Sequence, residues 1–413
     1  MSDLSALRKQ YGQYKERKLS LNMQRGQPSD DDLNLSLSLI DILDREDFVT
    51  PSGIDIRNYP GGIQGLPEAC ETFSELLGVQ PDEMVVGNNS SLEMMTGILQ
   101  WALLKGVKGS PSPWVANSPK MIVTVPGYDR HFQLLEILGF ELVTVKMTGE
   151  GPDIDAIEKL ARNDPQIKGI FFVPTYSNPT GDTISADVAR QLVTLDAAAP
   201  DFTIFADDAY AVHHLDEDLR KIPHMLSIAK EMGRPERVIL FGSTSKVTFA
   251  SGGLGLMAMS QSNLDYWLGL LKLQSIGPNK VEQWRHVRFL EKYPGGLKGL
   301  MRDHAAIIKP KFEAIFRILE EEFKGTGLAT WTQPKGGYFI NFDTAKPVAA
   351  QVVQLAAEIG VSLTPAGATF PGGKDPENRN IRIAPTRPPL HEIEEAALVM
   401  ATCVKLASAE YDV

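Results

Sequence analysis

An aspartate placed directly behind an apolar run is expensive to bury alone, and Asp207 stands in that position, after Thr203-Ile204-Phe205-Ala206. Its carboxylate needs a cationic partner, and a cationic ring nitrogen of a bound ligand would serve. Tyr210, three residues on, can reach the same ligand from the same side. A second reactive group ends another apolar run, where Val238-Ile239-Leu240 leads through Phe241-Gly242-Ser243-Thr244-Ser245 to Lys246. A lysine acts as nucleophile or base only when its pKa is lowered, which desolvation or neighbouring cations achieve. Asn178 ends a third run inside Asn178-Pro179-Thr180-Gly181, where Pro and Gly fix a turn that holds the amide over a pocket, a plain turn being the alternative. Tyr128, in Pro126-Gly127-Tyr128, can lie flat against an aromatic ligand or simply pack in the core. Asn88-Asn89-Ser90 opens a helix and offers donors to an anion, though an N-cap explains Asn and Ser there equally well.

Strand ends of this kind need a sheet behind them. Seven short apolar runs suit buried strands, at 83–87, 120–125, 141–146, 169–174, 202–206, 237–241 and 254–259. Stretches such as 92–105, 129–138, 153–163 and 185–196 suit crossover helices between them. The alternation predicts an α/β fold, a mostly parallel seven-stranded sheet covered by helices, with ligands bound outside the carboxyl ends of the strands. After Pro294 the pattern becomes α+β: a long helix over 297–323, strands at 329–332, 337–342 and 380–384, and helices at 347–359 and 390–407. Residues 41–294 are therefore expected to form a large domain. Residues 1–40, a polar helix over 3–18 and then an extended arm, are expected to join 295–413 in a discontinuous small domain. The glycine-rich loop from Arg57 to Gly65 carries Tyr59.

Composition sets the outer bounds. With 413 residues, 43% of them hydrophobic, the chain can bury a large core without staples. A formal net charge of −11 argues against a general polyanion binder, so no nucleic-acid partner is expected. Cys70 and Cys403 lack metal-ligand spacing and read as reduced packing residues; no metal is expected. No stretch reads as a secretory signal or a membrane span, which favours a cytoplasmic protein without a membrane partner.

Taken in order, Ser177 to Gly181, Asp207 to Tyr210, Gly242 to Lys246 and Asn380-Ile381-Arg382 resemble the fold-type I pyridoxal-phosphate enzymes, and within them the class I/II aminotransferases. The resemblance runs from Gly26 to Arg382. It implies pyridoxal 5'-phosphate held by Lys246 as a Schiff base, with Asp207 keeping the ring nitrogen protonated and Asn178 and Tyr210 on the ring oxygen. It also implies that the released Lys246 moves the proton at the substrate α-carbon. Ser243 matches the phosphate-binding serine, and Tyr59 the tyrosine that reaches the phosphate from a neighbouring subunit, which makes the active unit a homodimer with shared sites. Arg382 matches the arginine that grips the substrate α-carboxylate, with Gly26 and Asn178 beside it.

One departure stands out. Where most relatives carry a phosphate-binding arginine, this chain has Gly253; Lys280 is the first candidate to replace that charge, Arg285 and Arg288 weaker ones. Such departures resemble bacterial aspartate aminotransferases related to the aminotransferase part of MocR-type proteins. That implies ping-pong transamination of aspartate and 2-oxoglutarate, with Lys280 or Arg25 available for the distal carboxylate. Transamination of aromatic amino acids or kynurenine, and a pyridoxal-phosphate-dependent β-lyase, are the alternatives. A MocR-type regulator needs a basic helix-turn-helix domain, for which the segment ahead of Gly26 is too short. A P-loop hydrolase needs Gly-Lys followed by Ser or Thr, absent from Gly242 to Lys246. A metal hydrolase on Asp207, Asp208, His213 and His214 is disfavoured, because adjacent histidines on an extended segment point to opposite faces.

Overall fold

The computed structural model describes residues 4–59, 61–216 and 222–412. Met1 to Asp3 of the expected arm and Pro60 of the glycine-rich loop lie outside them. The chain opens with α1 (Leu4–Glu16), the short β1 (Leu21–Asn22) and α2 (Asp30–Asn34). Ser29 and Asp32 start α2 with a reciprocal capping box. α3 (Pro67–Leu77) has proline in its first turn and stops at Gly78, whose φ of 63° is the left-handed conformation glycine adopts without strain.

From there strands and helices alternate: β2 (Met84–Val86), α4 (Ser91–Lys105), β3 (Lys120–Val125), α5 (Asp129–Ile137), β4 (Glu141–Lys146), α6 (Ile154–Asn163), β5 (Ile167–Phe172), α7 (Ala186–Thr194), β6 (Thr203–Asp207), α8 (Met225–Glu231), β7 (Val238–Ser243), β8 (Gly255–Met259), α9 (Gln261–Leu271) and α10 (Lys280–Lys292). Ser90, Asp153, Ser185, Ser260 and Asn279 each cap the helix that follows by accepting a backbone N–H, so short polar residues set where these helices begin. The remainder is α11 (Gly296–Phe323), β9 (Ala329–Trp331), β10 (Ile340–Thr344), α12 (Ala349–Ile359), β11 (Val361–Ser362), β12 (Asn380–Ile383) and α13 (Leu390–Tyr411).

Seven strands form one sheet in the order β2-β8-β7-β6-β5-β3-β4. β3 to β7 pair in parallel; β8 runs antiparallel to both β7 and β2, since the 244–254 segment returns directly, without a crossover helix. Strand order reverses between β3 and β5: the chain leaves β3 outward to β4, but leaves β5 the other way, to β6. The ends of β3 and β5 thus flank the crevice where open α/β sheets bind ligands.

Alternate side chains feed opposite cores. Phe172, Ile204, Ala206 and Leu240 pack with Phe73 of α3 and Leu192 of α7. Their neighbours Phe171, Phe205, Ile239 and Phe241 pack with Ile98 of α4 and Trp267 of α9. A third core joins β10 and β12 to α11, α12 and α13, with Leu21 and Met23 of the arm. α11 links the cores: Leu297, Leu300 and Met301 belong to the first, and Ile308, Phe312 and Ile315 to the third. The arm crosses in the same way, because Leu39 packs in the first core. Cys70 and Cys403 are buried free thiols, Cys70 in the first core and Cys403 in the third, and burial pushes each up to about 12. No helix among the described residues is long and apolar enough to cross a membrane.

Candidate active site

Asp207 is the last residue of β6 and is buried. His131, in the first turns of α5, lies with Nε2 2.8 Å from Asp207 Oδ2 and donates to it. Asp207 Oδ1 has no hydrogen-bond partner among the described residues. A buried carboxylate held on one oxygen and bare on the other is a socket for a donor or a cation. The His131 ring is itself wedged edge-on between Tyr128 and Phe171, with centroids at 4.9 and 4.5 Å.

Lys246 follows the neighbouring strand, β7. Its Nζ lies 5.1 Å from the centroid of Tyr210 and 6.0 Å from that of Tyr338, and it makes no ion pair among the described residues. Desolvation lowers its pKa, with Asp207 opposing from the adjacent strand end. The backbone beneath it is fixed by two histidines. His213 Nε2 donates to the Lys246 carbonyl at 3.2 Å, and His304 of α11 bridges the Val247 carbonyl and Asp32, each at 2.9 Å. Burial pushes His213 down to about 3, so it stays neutral. The Tyr210 hydroxyl is pushed well above its ordinary value, first by burial. The arrangement offers an amine that desolvation keeps reactive beside a carboxylate that calls for positive charge.

Arg382 closes the opposite wall. On β12 its neighbours Ile381 and Ile383 enter the core, and the two-residue period of the strand turns Arg382 outward to the cavity. Its Nη1 donates to Asp129 Oδ1 and Asn178 Oδ1, both at 3.2 Å, and Nε to Thr364 Oγ1 at 3.4 Å. The guanidinium stacks on Phe339, 4.9 Å from the ring centroid. Gly26 presses on that ring from the arm: a Cβ there would lie 2.5 Å from Phe339 Cζ, so only glycine fits. Together these walls enclose a cavity of about 620 Å³ onto which Lys246, Tyr210, Asn178, Tyr128, Arg382 and Gly26 open.

The other expected site residues stand outside that lining. Ser243 ends β7, its hydroxyl 2.6 Å from that of Ser245. Asn88 Oδ1 accepts the Asn279 N–H at 3.0 Å, Asn89 Nδ2 donates to the Ser251 carbonyl at 2.7 Å, and the Ser90 hydroxyl caps α4. Between capping and anion binding, the Ser90 side chain is therefore taken up by the cap. Lys280 is buried at the start of α10, its Nζ donating to the Tyr59 carbonyl at 3.4 Å. The Tyr59 side chain is 70% exposed and makes no hydrogen bond among the described residues. Arg285 and Arg288 are committed elsewhere, Arg285 to the Leu39 and Ile40 carbonyls and Glu282, Arg288 to Asp47 and Glu291. Gly253 is tightly enclosed: a Cβ would sit 3.1 Å from Ser245 N, from the Phe249 carbonyl and from Thr244 Oγ1, so any side chain would have to push these neighbours aside. His213 and His214 part company as expected, His213 toward Tyr210 and Tyr338 and His214 to the Tyr176 hydroxyl at 2.8 Å. Sequence reading passed over His131, Asp129 and Phe339. For His131 a signal existed, since it lies one helical turn beyond Tyr128 and so faces back to the same strand ends.

Comparison with known proteins follows the same lines. The family model described as aspartate amino-transferase matches residues 1–413. A Corynebacterium glutamicum protein named aspartate aminotransferase is 40% identical over 406 residues, 98% of this chain and 93% of its own length. The crystal structure of an aspartate transaminase from the same species superposes with a TM-score of 0.96 at 39% identity, covering 99% of this chain and 96% of that one. An α-aminoadipate aminotransferase of Thermus thermophilus, solved with N-(5'-phosphopyridoxyl)-L-leucine, shares the fold at 21% identity, with a TM-score of 0.76 over 96% of this chain and 95% of that one.

Proposed function

The chain belongs to the aspartate amino-transferase family, and from that premise we propose that it transfers the amino group of aspartate to 2-oxoglutarate on pyridoxal 5'-phosphate bound through Lys246. The enzyme is an aminotransferase; the substrate pair and the residue roles are our reading. One observation carries it: a buried carboxylate with a bare oxygen, Asp207, lies at the end of the strand next to the one that precedes Lys246, whose amine has no acid partner among the described residues. Those two residues fit the group, a cationic ring nitrogen for Asp207 Oδ1 and an aldehyde for the Lys246 amine.

Pyridoxal phosphate, when bound, supplies an electron sink for charge developing at the substrate α-carbon. Arg382 binds the α-carboxylate through its planar fork, with Asn178 and the Phe339 face fixing the guanidinium. The Lys246 amine, free of the aldehyde once the substrate amine is bound, would be the base that takes and hands on the proton at the substrate α-carbon; desolvation lowers its pKa and so favours the neutral, basic form. His131 holds Asp207 by Oδ2 and so keeps Oδ1 for the ring nitrogen. Tyr210 and Asn178 serve the ring oxygen. The acceptor oxo acid reverses these steps.

For the phosphate, the reading assigns Ser243, the backbone of Asn88 to Ser90, and Lys280 in place of the absent arginine. Lys280 supports this by being buried while donating, among the described residues, only one long hydrogen bond. The reading includes a second copy of the chain and a cytoplasmic location. Exposed Tyr59, Leu273, Ile276 and Val281 surround the Lys280 segment, a rim that a partner subunit would cover while adding its own Tyr59.

The test is the visible spectrum of the purified protein with aspartate, glutamate, alanine, kynurenine and leucine added singly. Conversion of the lysine-bound absorbance band to the amine form by aspartate and glutamate, and hardly by the rest, is expected. Conversion by kynurenine or leucine alone would overturn the substrate. No band even after incubation with pyridoxal phosphate would overturn the site.

A further inference from the structure

Three histidines hold the turn that carries Lys246, and they are not chemically alike. His213 gives Nε2–H to the Lys246 carbonyl and finds no partner for Nδ1 among the described residues. His286 of α10 meets the Glu282 carbonyl with Nδ1 and the Thr248 hydroxyl with Nε2, each at 2.9 Å. A hydroxyl donates as readily as it accepts, so one ring proton satisfies His286. Burial pushes His213 down to about 3 and His286 down to about 4. His304 of α11 differs. Its Nδ1 faces Asp32 Oδ1 and its Nε2 the Val247 carbonyl, both at 2.9 Å, and both partners are acceptors. A ring with one proton would set a lone pair against one of these oxygens. Asp32 does not supply the missing proton. Burial, the largest influence, pushes its carboxyl up, but bonds from His304 and from the Ser29 hydroxyl and N–H outweigh it and hold the carboxyl below its ordinary value. The geometry therefore needs protons on both nitrogens of His304.

Resting on the assignment of Lys246 above, we propose that Asp32 and His304 are positioning residues for that lysine: the carboxylate holds the imidazole doubly protonated, and its Nε2–H fixes the peptide next to Lys246. The bond each ring nitrogen makes sets what the other offers, so Asp32 decides that Nε2 is a donor. A donor on a charged ring also makes the stronger bond to a carbonyl. Lys246 Nζ has the rings of Tyr210 and Tyr338 beside it and no ion pair among the described residues, so the aim of the amine depends on the backbone that carries it.

Asp32 also belongs to the arm whose Gln24 to Gln27 stretch lines the cavity. Two turns beyond His304, on the same face of α11, the buried Lys311 donates to the Thr386 carbonyl, and the Thr386 hydroxyl donates to the Gln27 carbonyl at 2.8 Å. The cavity wall and the lysine turn are thus both held from one helix face. The other titratable groups around the pair are His213 and His214, which share a small void with His304, Asp31 and Lys311 near Asp32, and the buried Tyr338 hydroxyl. None of them is hydrogen-bonded to His304 among the described residues.

The experiment compares His304→Asn, His304→Gln and the wild type as holoenzymes. An Asn amide reaches as far as Nδ1 does, so it keeps a donor for Asp32 and loses the Val247 carbonyl; a Gln amide reaches as far as Nε2 and does the reverse. Urea midpoints should therefore rank Asn above Gln, since Gln strands a buried carboxylate. The kcat for aspartate should rank them the other way, with His304→Asn falling by about tenfold or more and its KM changing far less. The α-deuterium isotope effect on kcat should rise in His304→Asn, because proton transfer by Lys246 slows; a loss of folding alone would leave it unchanged. Nitrogen-15 NMR of the histidine-labelled wild type should show both ring nitrogens of His304 protonated and one each in His213 and His286, the His304 signals being those absent from the variants. Rates that follow stability, with Asn at or above Gln, would overturn the proposal. So would an unchanged isotope effect in His304→Asn, or a His304 ring with a single proton. If His304→Gln does not fold, the isotope effect and the ring protonation decide. A wild type that forms no lysine-bound absorbance band would sink the assignment of Lys246 and this role with it. A wild type with the band and none of these differences would sink the positioning role alone.

Discussion

Strand β6 has a buried aspartate beside each end, and the two are finished differently. Asp201, just ahead of the strand, is fully satisfied: Oδ1 pairs with Lys168 Nζ at 3.1 Å, and Oδ2 accepts from Trp114 Nε1 and Ser110 Oγ at 2.8 Å each. Asp207, at the other end, holds His131 on one oxygen and, among the described residues, nothing on the other. The lysines divide the same way. Lys168, at the amino end of β5, is buried with its anion; Lys246, beyond the carboxyl end of β7, is desolvated without one. The same two residue types are thus cross-linked at the floor of the sheet and kept apart at its mouth. A closed pair rigidifies the fold, whereas groups left open keep bonding capacity for a ligand that the chain does not itself contain.

Replacing the two lysines separates these roles most sharply. Lys246→Ala should reduce transamination by about 10⁴-fold or more, since nucleophile and base are lost together, while leaving stability within about 1 kcal/mol because no ion pair is broken. Lys168→Ala should do the reverse, costing about 3–5 kcal/mol by stranding the Asp201 carboxylate. Its kcat/KM should match the wild type wherever the protein is folded. Urea midpoints and single-substrate kinetics on both variants decide the matter. Comparable loss of stability in the two would erase the distinction between floor and mouth.

The aspartates give a smaller but more specific contrast. Asp207→Asn keeps the shape and removes the charge offered to the ring nitrogen, so the rate should fall by about two to three orders of magnitude and the cofactor should dialyse away faster, with little change in apoprotein stability. Asp201→Asn should retain cofactor normally and lose about 3 kcal/mol. If Asp207→Asn proved as destabilising as Asp201→Asn, with the cofactor held as before, Asp207 would be a core residue with a missing partner.

The mouth was the more legible of the two regions, for a physical reason. Functional groups at strand ends interrupt apolar runs at their last residue, as Asp207 does after Ala206, and loop glycines and prolines mark the turn that follows. The alternation of runs and polar stretches carried the seven-stranded sheet and its crossover helices to within a few residues. It could not place β8 antiparallel, which depends on the 244–254 segment returning without a helix. Contacts across long sequence distances were equally out of reach. Nothing local says that Asp129 meets Arg382, that Gly26 is shaped by Phe339, or that Gly253 is walled in by the turn that carries Lys246. Asp201 and Lys168 went unremarked because each sits at the start of its strand, where a charged residue usually meets solvent.

A third aspartate tests whether paired and unpaired exhaust the possibilities. Asp208, next to Asp207, is buried, and burial reinforced by the Asp207 charge pushes it up to about 7, so near neutrality it is held by its own proton. The unfolded chain releases that proton near 3.8. Between those values the folded state binds one more proton than the unfolded, and its stability falls as pH rises. Asp208→Asn lacks this liability: its advantage over the wild type should be nil near pH 4, grow with pH, and level off above pH 7 at about 4 kcal/mol. His213, pushed down to about 3, acts with the opposite sign, since the unfolded chain takes up a proton below 6.5 that the folded state refuses. Between about pH 4 and 6.5 the two contributions cancel in the wild type. The Asn variant, stripped of one, should show the acid sensitivity of the other. Urea unfolding of both proteins across pH 4 to 8.5 reads this directly. An advantage independent of pH would mean that Asp208 is ionised in the fold, and the mouth of the sheet would then hold two adjacent bare carboxylates awaiting the same cation.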